Sequence, residues 1–535
     1  MNKSVLKIMA AVIGLTASSV LTSCDDKDEE PGAVRVTGIS VDRTSVELAP
    51  GGTLTLTASV SPSGAANSNV YWSSSSDAVA TVSGSGQVTA ISVGEAVITA
   101  KTDDGGFTAT CAVSVKEGVP PSKAVVLEGE ITSDLTLRAV DSNTLRGYVY
   151  IVDGVTLTVE AGAVVKGEKS TMGSSLIVER GGKIIAQGTA DKPIVFTSDQ
   201  PKGSRSYGDW GGIVLCGKAP TNNITEPQIE GGPRSRYGGD TPDDNSGILK
   251  YVRIEFAGYP YQPDKEINGL TCGGVGSATT IEYVQVSFCG DDSFEWFGGT
   301  VNARHLIAFK GWDDEFDTDY GFSGNLQFLL GVRDPRHADT SKSNGFESDN
   351  DAQGSGNTPL TRPVFSNVTL IGPLYGVAAD KAQDDILYNT EDAANGAKGG
   401  QFQSAMHIRR NSSLNVYNSV FVGWPYGLNL DNANEGAVVR NVIFAGMWKD
   451  FQNDGSEAYF LKEGLGNRSI LSTKDVIASD GDYSSVVASQ ISGADFADAL
   501  LGNSFFEKVT YKGAFDGTND WTSGWANFDP NNADY

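Results

Sequence analysis

The sequence predicts an all-β chain in two parts, an immunoglobulin-like β-sandwich followed by a right-handed parallel β-helix. Three observations predict it. Short runs that alternate apolar and polar residues fill positions 34–117 and are closed by Gly, Pro, Ser and Asn. A Pro-Pro linker then breaks the pattern at Pro120-Pro121. Beyond it, Asp291-Asp-Ser-Phe-Glu295 returns 22 residues later as Asp313-Asp-Glu-Phe-Asp317, a spacing that suits one turn of a β-solenoid.

In chain order, the N-terminus carries Lys3 and Lys7, an apolar run from Ile8 to Leu21, and Leu21-Thr-Ser-Cys24. This is the charged, apolar and small-residue order of a secretory signal over residues 1–23. The apolar run is shorter than the roughly 20 residues that span a bilayer. Leu-Thr-Ser-Cys resembles a bacterial lipobox, which implies that Cys24 becomes the lipidated first residue of the mature protein and anchors it to a membrane. Residues 24–33, with Asp25, Asp26, Asp28, Glu29 and Glu30, have nothing to bury and read as an acidic tether. That acidic run resembles the surface-export signal of lipoproteins in glycan-degrading Gram-negative bacteria, and implies the outer membrane, facing the medium.

Residues 34–117 include Leu54-Thr-Leu-Thr-Ala-Ser-Val60 and Ala96-Val-Ile-Thr-Ala100, strands whose alternate side chains face a sandwich core. Gly38-Ile-Ser-Val41, Leu48-Ala-Pro-Gly-Gly52, Val70-Tyr-Trp-Ser-Ser74, Ala80-Thr-Val82 and Gly86-Gln-Val-Thr-Ala90 resemble a group 2 bacterial immunoglobulin-like domain. The resemblance implies a core tryptophan and a spacer or adhesive module. Residues 118–124 form a stiff linker.

From residue 125 to 535 a β-helix with a C-terminal cap is expected. Val159-Glu-Ala-Gly162 recurs, 19 residues on, as Val178-Glu-Arg-Gly181. The stronger repeat aligns Phe294, Phe316 and Phe346, with a loop containing Asp334-Pro-Arg-His337 making up the longer last interval. Ile408 and Leu430 are again 22 apart, and Phe496, Leu500 and Leu501 approximate one face of a short helix at 494–501. Gly208-Asp-Trp-Gly-Gly-Ile213, Tyr251-Val-Arg-Ile-Glu-Phe-Ala-Gly258, Gly290-Asp-Asp-Ser-Phe294, Tyr511-Lys-Gly-Ala-Phe515 and Trp521-Thr-Ser-Gly-Trp525 resemble an uncharacterised family of exported β-helix proteins. The match implies the fold more than an activity.

Charge bounds the partners. Lys and Arg total 40 against 66 Asp and Glu, a net charge of −26, which excludes nucleic acid and anionic lipid as partners and leaves cations, neutral glycans and basic partners. Cys111, Cys216, Cys272 and Cys289 are too few for a disulfide framework, so buried thiols are expected, with a Cys272–Cys289 bridge left open.

Chemistry concentrates in the 22-residue repeat. If the phenylalanines point inward, Asp291, Glu295, Asp313, Glu315, Asp317, Asp319, Glu347 and Asp349 point outward, with Glu295, Asp317 and Glu347 in one column. Carboxylates about 4.8 Å apart on adjacent strands repel unless a cation relieves them, and calcium, a hard ion with many oxygen ligands, fits; the bland alternative is a hydrated acidic face. No organic cofactor is expected. Some β-helix polysaccharide lyases pair such a calcium with a Lys or Arg base, and Lys310, Arg304 and Arg409 are the candidates here, beside His305, His407 and Arg410. Arg409 and Arg410 have a competing use as ion pairs to Asp431. The glycine-rich stretch 199–246 offers Trp210, Arg234, Arg236 and Tyr237 as sugar contacts, or as side chains that only pack the loop, and Trp424 with Tyr426 is a second platform. Gly212–Lys218 has phosphate-loop spacing, but Ala219 stands where Ser or Thr is needed. Three functions fit: a surface-anchored protein that binds extracellular glycan, a calcium-dependent polysaccharide lyase, and an accessory subunit of an outer-membrane uptake complex.

Overall fold

The computed structural model describes residues 34–117, 122–223, 227–262, 265–375, 390–391, 398–473, 476–477 and 491–535. The signal segment, Cys24 and the acidic tether lie outside the described residues. The chain divides into two compact units, 1–121 and 122–535.

The first unit is a sandwich. Ser45–Leu48, Thr108–Val115, Gly94–Thr102 and Val70–Ser74 form one sheet in that order, and Thr53–Thr55, Gln87–Ala90 and Ala80–Val82 form another. Alternation along Gly94–Thr102 sends Ala96, Ile98 and Ala100 into the core, where they meet Leu56, Val88, Cys111 and Val113. Trp72 packs on this cluster over Gly86, where a Cβ would lie 3.0 Å from the indole. Gly86 has φ +82°, so the position admits only glycine cheaply.

The second unit is a parallel β-helix. Among the described residues, twenty-six strands pair into one sheet that winds from Ala124–Ile131 to Arg468–Ile470. The strands of a central coil pair in parallel with those of the coils on either side, and the apolar side chains stack inside. The register confirms the repeat: Phe294 pairs with Phe316 and Phe316 with Phe346, Val286 with Ala308, and Ile408 with Leu430. The phenylalanine rings follow at 5.7 and 5.5 Å between centroids, fully buried. Each such pair contributes about 0.5–1.5 kcal/mol beyond its buried area.

A second stack runs along another corner. Tyr251, Tyr283, His305 and Phe328 all hold positive φ and turn the chain at equivalent points of successive coils. Their rings follow at 4.5, 4.2 and 5.2 Å. The segment from Ile491 to Tyr535 runs back over this side as a strap. Asn418 Nδ2 donates to the Asp495 carbonyl at 3.0 Å, Gln327 Nε2 to Glu507 at 2.7 Å, Gln285 Nε2 to Asn527 at 2.7 Å and Arg205 Nη1 to Pro530 at 2.7 Å, each on an earlier coil than the last.

Four expectations are corrected. The 19-residue interval is not a coil: Ile151 pairs with Val178 and Val159 with Ala186, so the coil that carries both motifs takes 27 residues and the two similar motifs sit on different strands. All four described cysteines are free and buried, Cys272 and Cys289 in the hydrophobic interior, which removes the bridge. In place of a helix at 494–501 there is a single turn at Ala499–Leu501, capped by the Asp498 carboxylate, because Phe496, Leu500 and Leu501 are anchors of the strap. Glu315 does not face outward. It forms a fully buried ion pair with Arg333 at 3.1 Å, and Arg333 Nη1 also donates to the Gly311 carbonyl at 3.0 Å.

Candidate acidic ladder site

One face of the β-helix carries the acidic residues. The strands Leu270–Gly273, Phe294–Phe297, Phe316–Asp319, Phe346–Ser348, Ser404–Arg409 and Tyr426–Asp431 lie side by side on it. With the phenylalanines inward, the next position of each strand points out. The result is a column of Thr271, Glu295, Asp317, Glu347, His407 and Asn429, paired rung by rung. The second outward position places Asp319 after Phe297, and then Asp349 and Arg409 further along.

Each strand is preceded by a corner that sequence alternation misassigns. Asp292 and Asp314 stand two residues before Phe294 and Phe316, where strict alternation sends them inward. The strands begin only at the phenylalanines, so the corner turns both carboxylates along the edge of the ladder. They form a chain of their own. The Asp314 N–H donates to Asp292 Oδ1 at 2.7 Å, the Asn344 N–H to Asp314 Oδ1, and the Ser404 N–H to Asn344 Oδ1 at 3.1 Å. The signal available in the sequence is the Asn-or-Asp at this point of four successive coils: Asn268, Asp292, Asp314 and Asn344.

Asp292 joins the two acid groups of the site. Its carboxylate belongs to one set with Asp291 and Asp313 and to a second with Glu295 and Asp317, and within each set one oxygen per residue lies within 4.8 Å of the others. Burial and mutual repulsion push the carboxyls of Asp292, Glu295, Asp314 and Asp317 well above the usual carboxylate range. Asp313 rises to about 7, from burial first and Asp339 second. One neutral donor, Asn268 Nδ2, reaches Glu295, and Ser341 Oγ donates to Asp313 at 2.7 Å. Asp313 Oδ1 and Asp317 Oδ1 are shielded from solvent without a hydrogen-bond partner, as is the hydroxyl of Thr271 at the head of the column. An all-oxygen donor set with orphaned oxygens fits a hard cation such as calcium.

The downstream end is neutralised by the protein itself. Arg409 pairs with Glu347 and, at 2.8 Å, with Asp349, while Arg410 reaches Asp349 at 2.7 Å. Arg409 is in register with Asp431, yet its ion pairs go to the preceding coil, which corrects the expected pairing to Asp431. His407 Nδ1 lies 3.6 Å from Glu347, and neither ring nitrogen has a hydrogen-bond partner.

The other sequence candidates fall elsewhere. Arg304 and Lys310 belong to the neighbouring strand Asn302–Phe309 and the turn after it, and neither is paired with a ladder carboxylate among the described residues. Arg304 lies over the Phe505 ring at 4.3 Å, and Lys310 over Phe309 at 4.9 Å. Stacking between Tyr283 and Phe328 occupies His305. Trp210 and Trp424 are both fully buried, so neither offers a face to a sugar; Trp210 Nε1 donates to the Glu255 carbonyl at 2.8 Å. Tyr237 is likewise buried, stacked on Phe297 at 5.9 Å, where it docks the long loop beside the ladder. Tyr426 stays half-buried beside Trp448 at 5.7 Å. Arg234 and Arg236 remain exposed and line an open recess.

Comparison with known proteins agrees with this architecture. Residues 35–113 match the group 2 bacterial Ig-like domain. An alpha-L-arabinofuranosidase of Bifidobacterium longum is 41% identical over 86 residues, which is 16% of this chain and 8% of that protein. Two uncharacterized proteins of Clostridium acetobutylicum are 42% identical over 84 residues and 37% over 89, again 16% of this chain, and 9% and 22% of theirs. The chain therefore matches less than a quarter of the length of each of these relatives. A pectate-lyase-like β-helix beside an Ig-like domain points to a glycan-related role. The pectate-lyase-like match runs over residues 129–526, most of the chain, and the protein belongs to the pectate-lyase-like beta helix domain family.

Proposed function

We propose that this protein is a surface-anchored glycan-binding lipoprotein whose β-helix holds a calcium ion on the acidic ladder and uses it to grip an extracellular glycan. The observation that carries the reading is the placing of Asp292 between two carboxylate sets whose oxygens lie within 4.8 Å. Asp292, Glu295 and Asp317 would hold the ion, which supplies a positive centre for hydroxyl or carboxylate oxygens of a sugar. Binding is favoured over cleavage by the fate of the candidate bases. Arg304 is on another strand and Lys310 in the turn after it, and Arg409 is held by Glu347 and Asp349. A lyase is the second reading because His407 follows Glu347 in the first column and Arg409 stands beside Asp349 in the second.

The test is calorimetric titration of calcium into chelator-treated protein, followed by incubation with a panel of uronate polysaccharides while ultraviolet absorbance follows unsaturated product. Calcium binding with glycan retention and flat absorbance supports the binding reading. Calcium-dependent growth of absorbance, lost in Asp317→Ala and Glu347→Ala, establishes the lyase instead. Anchoring rests on Cys24 in its lipobox context, and incorporation of labelled palmitate that is lost in Cys24→Ser checks it.

A further inference from the structure

A second polar recess lies upstream of the acidic ladder, on the coils formed by Ser142–Ile151 and Ser175–Val178. It is lined by Asp153, Glu179, Arg180, Arg234, Ser235 and Arg236, with a volume of about 330 Å³. That is the small end of the range for ligand pockets, suited to a short saccharide rather than a long groove. Its walls are held in place. Arg234 donates to Glu130 at 2.6 Å and to Glu179 at 3.1 Å, and lies over the Tyr150 ring at 4.3 Å. Ser235 Oγ donates to Glu179 at 2.9 Å, and Arg180 Nη1 donates to the Gly238 carbonyl at 3.1 Å. Asp153 closes over Gly181, where any Cβ would collide with the Asp153 carboxylate. Gly181 has φ +89°, so only glycine lets the carboxylate lie there.

The chemistry of the lining decides what it takes. Three guanidinium groups and two carboxylates line an open space, and Lys218 stands 3.6 Å from Asp153. An incoming anion must compete with Glu179 and Glu130 for the N–H groups of Arg234 and shares the recess with the carboxylates of Asp153 and Glu179. A sugar hydroxyl both donates and accepts. It can take an N–H from Arg180, whose guanidinium spends one bond on Gly238, while giving its proton to Asp153 or Glu179. No displacement of the existing ion pairs is needed.

We infer that this recess is a second glycan subsite, specific for an uncharged saccharide unit and independent of any cation. It does not rest on the calcium reading of the acidic ladder, and the two are separable by chelator. The experiment uses the full-length protein in excess EDTA, with calorimetry and saturation-transfer NMR against cellotriose, mannotriose, xylotriose and galactotriose, and trigalacturonate as the charged comparator. At least one neutral trisaccharide should bind. Arg180→Ala and Asp153→Asn should each weaken it about tenfold, the scale of one hydrogen bond to a charged group. Tyr71→Ala, an exposed position of the sandwich, should leave it unchanged. Arg180 and Asp153 are exposed, so unchanged melting temperatures verify that both variants fold, and Arg180→Lys should recover part of the loss. The inference is overturned if no neutral trisaccharide binds in EDTA, if binding survives both recess variants, or if trigalacturonate is preferred.

Discussion

Asp314 donates its backbone N–H to the Asp292 carboxylate one coil below, at 2.7 Å, and so fixes the acid that both carboxylate sets share. Asp292 therefore has two separable jobs, as hydrogen-bond acceptor for the fold and as charge for the cation. Asp292→Asn keeps an oxygen for Asp314 and removes the charge. The chelator-treated variant should melt no lower than the native protein, because repulsion with Asp314 and its neighbours is relieved, while its affinity for calcium falls at least tenfold. Asp292→Ala also orphans a buried N–H and should cost about 1–3 kcal/mol. Calcium titration of both variants, with melting in EDTA, separates the two jobs. Native calcium affinity in Asp292→Asn would remove Asp292 from the ligand set.

His305 gives a pH dependence that is independent of any metal. Burial between Tyr283 and Phe328 is the largest influence on its imidazole and lowers it to about 4, against a modest opposing pull from Glu282, while Arg304 and Lys250 lower it further. The unfolded chain then binds more protons than the folded one between the folded value and the ordinary one near 6.5. Stability from keeping this ring neutral is present above that ordinary value and is lost as pH falls toward about 4. The loss is at most about 3 kcal/mol, and less because the ring keeps some contact with water. Urea unfolding at a series of pH values should show a shallower acid limb in His305→Phe, which preserves the stack. An identical limb in the variant would show that other groups set the acid response.

Much of this was legible in the sequence, and the failures have physical causes. The 22-residue repeat is readable because coils of equal length must stack like residues on like, so Phe294, Phe316 and Phe346 announce the register directly. The early coils conceal theirs, since their lengths differ, with Leu135 pairing Leu157, Ile151 pairing Val178 and Leu176 pairing Ile213, and similar motifs on different strands of one coil mimic a shorter repeat. The column of Glu295, Asp317 and Glu347 followed from alternation, whereas Asp292 and Asp314 did not, because a corner has no two-residue period. Arg304 and Arg409 look equivalent as sequence. Only pairing shows that one lies over Phe505 and the other over the ladder.

Tryptophans beside Asn and Asp read as sugar platforms, yet burial makes Trp210 and Trp424 structural. Trp210 fills the interior so closely that a Cβ on Gly167 would lie 2.5 Å from its own Cβ. Either Trp→Ala change should cost about 3–5 kcal/mol through lost burial and an unfilled cavity. Glycan affinity of whatever fraction folds should be unchanged. A Trp424→Ala protein with native melting but no glycan binding would restore the platform reading.

The strap supplies the last prediction. Trp525 is buried edge-on against the stacked Tyr251 and Tyr283, at 6.0 and 5.9 Å from their rings, and its Nε1 donates to the Trp521 carbonyl at 2.7 Å. Trp521 in turn meets His305 edge-on at 5.1 Å. The strap thus shields the aromatic corner that the coils alone leave open to water, and Trp525→Ala should cost about 3–5 kcal/mol if strap and solenoid unfold together. If instead the strap opens locally, the cost falls on that opening alone, since stability is not uniform across a structure. Limited proteolysis decides between them. Release of a fragment from the region after residue 491, with the solenoid still resistant and its main melting transition unmoved, identifies the strap as a separate unit. Loss of resistance throughout, with a lower melting temperature, shows that Trp525 ties the C-terminal segment to the cooperative fold, and that the aromatic corner requires its cover.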